Sequence, residues 1–455
     1  MSNLKEKTYN FLNGYWYPFF IAFFVLIGNI FSIELYSIAL IVPTVCLGFI
    51  LCKDLKFFIS PLLCFYFIFS RKSLSNEIFY SAPYLIFYAL IAFAILLSIA
   101  IHFIIYRKEI KMKNFTSSAL SKGLVLLAIT FMLNGLSSIE NYNLSNFVFG
   151  LLIVLSFILP FFLFSINLEI NKDTKRYLIY VLLLASIVLI IELFYLYLSK
   201  NVIVNGVIQK YALDLGWGGS NNIGALLAMF MPIYFYCAGN SKHTLLFLLG
   251  GLLTYGCVLI TLSRAAILFA TPILACCVLF LFQRKNQQRK QVVIFSCILF
   301  TLAIFACFYF KDTLYAAFSN MLRAGFDDSG RFEYYNDGMM KFLNNIILGI
   351  GFGNSHGVNT SFVITAPNYF HSTVIQVLAS CGVVGSAAYL YHRYQTIKLF
   401  WKIRSPFSFF IGMSALALLL TSLLDVHLFL IYPTIIYSTM LCIVERSASY
   451  EKENE

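Results

Sequence analysis

"YLIFYALIAFAILLSIAIHFII", residues 84–105, contains no Asp, Glu, Lys or Arg. At 1.5 Å per helical residue such a run crosses about 30 Å of hydrocarbon. It is continuous and does not alternate, so it predicts a spanning helix and not a strand of a membrane barrel. Comparable apolar stretches recur from Tyr15 to Val444 in a chain that is 60% hydrophobic and 11% charged, outside the composition of a soluble globular domain. The sequence predicts an all-α fold: a polytopic membrane helical bundle of about 14 transmembrane helices (12 to 14), with a large external loop containing surface helices. The spans centre near residues 23, 42, 63, 91, 128, 156, 188, 229, 253, 273, 301, 383, 415 and 436. The third is short and broken by Pro61. The first run follows Lys5 and Lys7, but no small-residue cleavage site succeeds it, so it reads as a retained helix and not a signal peptide.

Basic residues set the expected orientation. With the N-terminus inside, alternate loops carry Lys53/Lys56, Arg107/Lys108/Lys111/Lys113/Lys122, Lys172/Lys175/Arg176, Lys242, Arg284/Lys285/Arg289/Lys290 and Arg393/Lys398/Lys402/Arg404. Together with Lys5, Lys7, Arg446 and Lys452 in the tails, 23 of the 32 Lys and Arg fall inside and nine outside, the asymmetry of the positive-inside rule. The net charge of +12 therefore follows from topology and anionic membrane lipid, and no nucleic-acid partner is called for. Both termini are expected in the cytoplasm. Most of the 11 cysteines sit in apolar runs without metal-ligand spacing and read as small packing residues.

Two external segments are longer than turns. One is Lys200 to Ser220, and the other is Lys311 to Phe370, where function is expected to sit. In the second, Phe332, Tyr335, Met339 and Phe342 at helical spacing predict a surface helix from about Arg331 to Asn344. "GIGFGN" (349–354) has the glycines of a phosphate cradle, but no strand precedes it and no Lys-Ser/Thr closes it. A tight chain reversal is the expected role.

Arg264, Arg323, Arg331 and His371 all fall on the outer side by this topology. A guanidinium offers a rigid fork matched to phosphate oxygens, and two can hold a diphosphate without a metal. Taken singly, Arg264 also reads as a helix-end residue reaching the headgroups. His371 opens the apolar run "HSTVIQVLASCGVVG" (371–385). Its imidazole can accept a hydroxyl proton near neutral pH, although a histidine capping a helix would stand in the same place. There is no Asp-x-Asp and no HExxH, and Asp327 and Asp328 are adjacent and poorly disposed to chelate one ion. The expected metal ligands and cofactors are none.

The run His371-Ser372, nine residues, Gly382-Val-Val-Gly385 resembles the signature of the O-antigen ligase and polymerase superfamily of bacterial envelopes. Ser263-Arg264-Ala-Ala-Ile-Leu268 is similar to that family's Arg-x-x-x-Leu motif. "GRFEYYNDGMMKF…ILGIGFGN" is similar to its external helix and following glycine segment, with Ile347 where proline is common and Asn354 where an aromatic is usual. "GWGGSNNIGALLAMFMPI" resembles the family's Asn-rich approach to the next span. The resemblance covers roughly residues 210–390.

It implies N-terminal transmembrane helices over 1–199, a catalytic region over 200–395 including the external loop 311–370, and C-terminal helices and a cytoplasmic tail over 396–455. It implies an enzyme of the bacterial cytoplasmic membrane: a metal-independent, inverting transfer of an oligosaccharide from undecaprenyl diphosphate to a glycan, lipid-linked or other hydroxyl acceptor, with the active site facing outward. On that reading Arg264 and Arg331 hold the diphosphate, His371 activates the acceptor, Arg323 is a further phosphate contact, and Trp217, Asn221 and Tyr335 bind substrate. Membrane lipid, a chain-length regulator and a flippase are its expected partners. Polymerase, ligase and protein-glycosylating members differ in acceptor, and the polymerase is the preferred reading. A lipid-linked oligosaccharide flippase is the rival from another class. It has less support, because the halves show no internal repeat and the intramembrane candidates His102 and Glu192 are unmatched in the sequence.

Overall fold

The computed structural model describes all residues except 1, 70–81, 138–141, 143, 201, 205–206, 286, 310, 313–314, 316–330, 355–369, 404 and 454–455. Much of the segment 311–370, including Arg323, Asp327 and Asp328, thus lies outside the described residues. In chain order the helices are α1 (Ser2–Asn13), α2 (Trp16–Phe31), α3 (Glu34–Leu51), α4 (Ile59–Cys64, between two 3-10 turns), α5 (Ala82–Ile105), α6 (Met112–Thr116), α7 (Ala119–Met132), α8 (Leu144–Asn167) and α9 (Lys172–Ser199). There follow α10 (Ser220–Asn240), α11 (Thr244–Ile260), α12 (Arg264–Gln283), α13 (Arg289–Tyr309), α14 (Arg331–Asn344), α15 (Thr373–Lys402), α16 (Pro406–Thr421) and α17 (Ile431–Glu453). Among the described residues the strands are a two-residue pair, β1 (Ile203–Val204) and β2 (Val207–Ile208).

A helical segment stands at each of the fourteen expected centres. Among the described residues, seven helices are long and apolar enough to cross a membrane, or eight if α1 and α2, bent by 73° at their joint, make one span. The remainder includes apolar helices such as α7 and α11, of 14 and 17 residues, which reach only about 21–26 Å at helical rise. The segment broken by Pro61 is a short α-turn between 3-10 turns, Leu55–Phe58 and Phe65–Phe69.

Among the candidate spans of the described residues α10 is the most enclosed: 89% of its apolar window is buried, against 11% for Ile86–Ile105 of α5. It packs against α9, α11, α12 and α16, while α7, α8, α15 and α17 form the neighbouring group. An apolar helix enclosed on every side needs no polar face, and α10 carries Ser220, Asn221 and Asn222 at its first turn and Asn240 at its last residue.

His102 and Glu192 have partners inside the bundle. His102 Nδ1 lies 2.8 Å from the Phe49 carbonyl oxygen and its Nε2 meets Asn167, while Glu192 accepts from Asn29. Both are satisfied polar groups linking helices, as burial in a membrane bundle requires.

The glycine segment after α14 has a specific structural task. Helix α15 breaks at Gly382 (φ 61°, ψ −161°), so carbonyls before the break and amides after it lose their helical partners. Residues 346–351 replace them. Ile350 N and Gly351 N donate to Ala379 O and Ser380 O, both at 2.9 Å, and Val383 N and Val384 N donate to Ile346 O and Ile347 O at 2.8 and 3.3 Å. A Cβ on Gly382 would stand 2.4 Å from Ile347 O, so both the positive φ and the close approach require glycine there. The chain reversal expected of "GIGFGN" is thus part of a backbone splice that closes a broken helix.

Candidate active site

His371 precedes Ser372, the N-cap of α15, and holds a left-handed backbone, φ 51°, uncommon for a residue with a side chain. Helix α14 lies across it: Tyr335 Oη donates to the His371 carbonyl oxygen at 3.1 Å, and the Tyr334 ring centroid is 5.4 Å from the imidazole. This approach depends on Gly338, where a Cβ would stand 2.4 Å from Ile375 Cγ2 of α15. The face of α14 turned to its neighbour is therefore centred on Gly338 with Tyr334 and Tyr335, whereas Phe332, which the sequence spacing grouped with Tyr335, is 72% exposed.

The connection between α16 and α17 lies against His371 and the start of α15. Thr373 N donates to the carbonyl oxygens of Ser422 (3.0 Å) and Asp425 (3.1 Å), so one of the first amides of α15 is already taken. The Asp425 carboxylate is buried; its Oδ1 stands 3.4 Å from His371 Nδ1. At that length Nδ1 is within ion-pair range but completes no hydrogen bond. The imidazole is 41% exposed while Nδ1 is enclosed, which leaves Nε2 as the nitrogen on the open side. Asp425 also accepts from Asn221 Nδ2 (3.1 Å, to Oδ2) and Val426 N (2.9 Å, to Oδ1). Next to it, buried His427 places Nδ1 2.9 Å from Asn222 Oδ1. The two asparagines at the tip of α10 thus hold the aspartate and the second histidine.

Burial pushes the Asp425 carboxyl up, but the adjacent His371 ring and the Val426 N–H outweigh it and hold the group below the usual carboxylate range. Asp425 is an anion at neutral pH. Burial drives the His427 imidazole down, and Arg331 and His371 add to this against the pull of Asp425. His427 is therefore neutral.

Arg264 is the first residue of α12, capped by Ser263, whose Oγ accepts from Ala266 N at 3.5 Å, and preceded by Leu262 with φ 53°. The left-handed backbone of Leu262 turns the chain between α11 and α12 and sets where the arginine emerges. Arg331 opens α14. The fields of Arg264 and Arg331 meet at Lys210, on the 3-10 turn Lys210–Ala212, whose ammonium is driven down first by burial and then by these two charges, with Asp425 opposing.

The structure brings Tyr335, His371 and Asn221 together around Asp425, and the charge of Arg331 reaches His427 and Lys210 while that of Arg264 reaches Lys210. Asn221 is engaged with Asp425. Trp217 packs edge-on against Tyr66 and Phe67 at 5.8 and 5.7 Å, in an aromatic group that includes Tyr432. Among the described residues, no group of three or more His, Cys, Asp or Glu is arranged to hold a metal ion. Sequence reasoning missed Asp425, His427 and Lys210. The available signal was "DVH" (425–427), an acid and a histidine between two apolar runs.

Residues 245–390, from α11 into α15, match the family described as O-antigen ligase. The chain carries an O-antigen ligase-like region. No curated protein matches the chain. The match spans Arg264, Arg331, Tyr335 and His371, and it supports the O-antigen ligase and polymerase superfamily as the relatives of this protein. It supports a membrane-embedded enzyme of ligase or polymerase type, working on a lipid-linked glycan donor. Lys210, Asn221, Asp425 and His427 lie outside the matched residues.

Proposed function

We propose that this protein is a membrane glycosyltransferase that moves an oligosaccharide from undecaprenyl diphosphate to a hydroxyl acceptor, and that it polymerises repeat units of a bacterial surface polysaccharide. The observation that carries the proposal is the buried Asp425 carboxylate 3.4 Å from His371 Nδ1, with His371, Arg264 and Arg331 all inside the matched residues.

In this mechanism Arg264 and Arg331 bind the two phosphates of the donor and orient its anomeric carbon. Asp425 favours the imidazole tautomer with hydrogen on Nδ1, so Nε2 carries the lone pair. The acceptor hydroxyl gives its proton to Nε2 as its oxygen bonds to the anomeric carbon from the face opposite the diphosphate. The carbon–oxygen bond to phosphate breaks with its electron pair on the leaving oxygen, and the arginines stabilise the added charge. Attack from the opposite face inverts the anomeric configuration, and no step uses a metal ion. His371 returns its proton to solvent through its open side. On the basic-residue asymmetry of the loops, the site faces outward from the cytoplasmic membrane with both termini inside.

The test is reconstitution with a single purified lipid-linked repeat unit. A polymerase builds a ladder of longer lipid-linked glycans, unchanged by EDTA. Transfer that appears only after a second acceptor is supplied would replace polymerase with ligase. Movement of the lipid across the bilayer without any new glycosidic bond would replace both with a flippase.

A further inference from the structure

We infer that Tyr335 is a positioning residue for the proposed base: its hydroxyl holds the left-handed backbone of His371, and so keeps the imidazole against Asp425 while α14 is docked on α15. The inference rests on the reading of His371 as the base. It gives Tyr335 a task other than the substrate contact expected from the sequence.

The chain is pinned on both sides of His371. Before it, Phe370 is fully buried and its N–H donates to Gln376 Oε1 at 3.0 Å, while Gln376 Nε2 donates to Ser380 Oγ at 2.8 Å. After it, Ser372 O accepts from Gln376 N at 2.8 Å, and Thr373 N is bound to the carbonyl oxygens of Ser422 and Asp425. Between these anchors stands the His371 carbonyl. Among the described residues, the donor that meets it is the Tyr335 hydroxyl, at 3.1 Å. A left-handed backbone costs a residue with a Cβ a free energy of the same order as one hydrogen bond contributes. Loss of this donor is therefore enough to shift the balance away from φ 51°.

The direction of the imidazole follows from φ, because Cβ turns with the backbone. His371 Nδ1 already stands 3.4 Å from Asp425 Oδ1, longer than a hydrogen bond, so a return to negative φ carries the ring away from the carboxylate. Asp425 is not free to follow. Its Oδ2 accepts from Asn221, and its carbonyl accepts from Thr373 N and Oγ1. Helix α14 grips this region with one face, since positions 334, 335, 338 and 341 lie one turn apart. The Tyr334 ring centroid is 5.4 Å from the imidazole, and Lys341 Nζ is 5.5 Å from the Phe370 ring centroid. At Gly338 a Cβ would stand 2.4 Å from Ile375 Cγ2 and 3.1 Å from Phe370 Cδ1, so the docking is close enough to exclude any side chain there. A hydroxyl whose hydrogen is committed to a carbonyl sets the base and takes no proton from the acceptor. Docking of α14 thereby switches the base on.

The experiment compares wild type with Tyr335→Phe, Gly338→Ala and the double variant Gly338→Ala/Ile375→Ala in lipid nanodiscs. It reads single-turnover transfer from a lipid-linked repeat unit and affinity for undecaprenyl diphosphate. Tyr335→Phe removes the hydroxyl alone, and should lower the single-turnover rate by about tenfold or more with affinity within about threefold of wild type. Gly338→Ala pushes α14 off Ile375 and should lower the rate in the same way, and Ile375→Ala, which makes room for the new methyl, should recover part of the loss. A double-mutant cycle separates positioning from general support of the fold. In a His371→Ala background Tyr335→Phe should cost less than about threefold more, whereas in an Arg264→Lys background the two losses should multiply. Equal losses in both backgrounds would make Tyr335 merely structural and overturn the inference. Near-wild-type transfer in Tyr335→Phe, with His371→Ala impaired, would overturn this inference alone. An affinity loss of about tenfold at an unchanged single-turnover rate would also overturn it, and would return Tyr335 to a substrate contact. Near-wild-type transfer in His371→Ala would overturn the reading of the base, and this inference with it.

Discussion

The residues matched to the O-antigen ligase family and the segments flanking them contribute to one site in different ways. Residues 245–390 supply the groups proposed to touch the substrate, namely Arg264, Arg331 and His371, together with the Gly382 break and the 346–351 splice. The flanks supply what surrounds them: Asp425 behind the imidazole, His427 beside it, the asparagines of α10 holding both, and Lys210 between the arginines' fields. A motif records the groups that must face the ligand and the backbone that must bend. The charges that tune those groups can come from any segment the fold brings near, so sequence spacing does not record them.

The largest effect expected under this division is from His371→Ala. Loss of the proposed base should lower single-turnover transfer by about 10²- to 10⁴-fold, with affinity for undecaprenyl diphosphate within about threefold of wild type. A mutant that turns over near the wild-type rate would remove His371 from the mechanism, and with it the reason for Asp425 to stand behind it.

Smaller losses should follow at the arginines, through a different parameter. Arg264→Lys keeps the charge and loses the bidentate fork, so donor affinity and turnover should both fall, on the order of tenfold each, while the protein still accumulates in the membrane. Full activity in this variant would return Arg264 to a headgroup anchor and shift the donor contact to other groups.

The fold was legible in the sequence to the extent that hydrophobic continuity decides it. Helical segments stand at all fourteen expected positions because an apolar run in lipid satisfies its backbone within a helix, even where Pro61 shortens it. How many of them cross was less legible: Pro61 and the short α7 and α11 yield segments whose depth depends on packing. Arg264, Arg331 and His371 could be nominated because each sits at a boundary in a recognisable run. The Gly382 break could not be derived from "GVVG", since what makes a glycine necessary there is the carbonyl of Ile347, 35 residues earlier in the chain, approaching it. Asp425 was hidden for a related reason. Its partner His371 is 54 positions away, and only the return of the chain between α16 and α17 brings them together.

The smallest effect tests the flank alone. His427 is buried, and its imidazole is driven below its ordinary value. In the unfolded chain it titrates near 6.5. Between the folded and unfolded values the unfolded state binds the proton and the folded state does not, so stability rises with pH across that window. It is fully present above about pH 6.5 and declines as pH falls toward the folded value. Asp54, a half-buried loop residue whose carboxyl is pushed up to about 6 by desolvation, has the opposite sign: its contribution is lost as pH rises from about 4 to 6. Subtracting a His427→Asn variant from wild type cancels Asp54 and isolates the imidazole, because the asparagine amide can still donate toward Asn222 Oδ1. The wild-type melting temperature should fall relative to the variant's between pH 7 and pH 5.5, on the order of 1 °C per pH unit for a chain of this size. Parallel melting curves at every pH would show that His427 is not held neutral, and that the charges of Arg331 and His371 do not meet there as described.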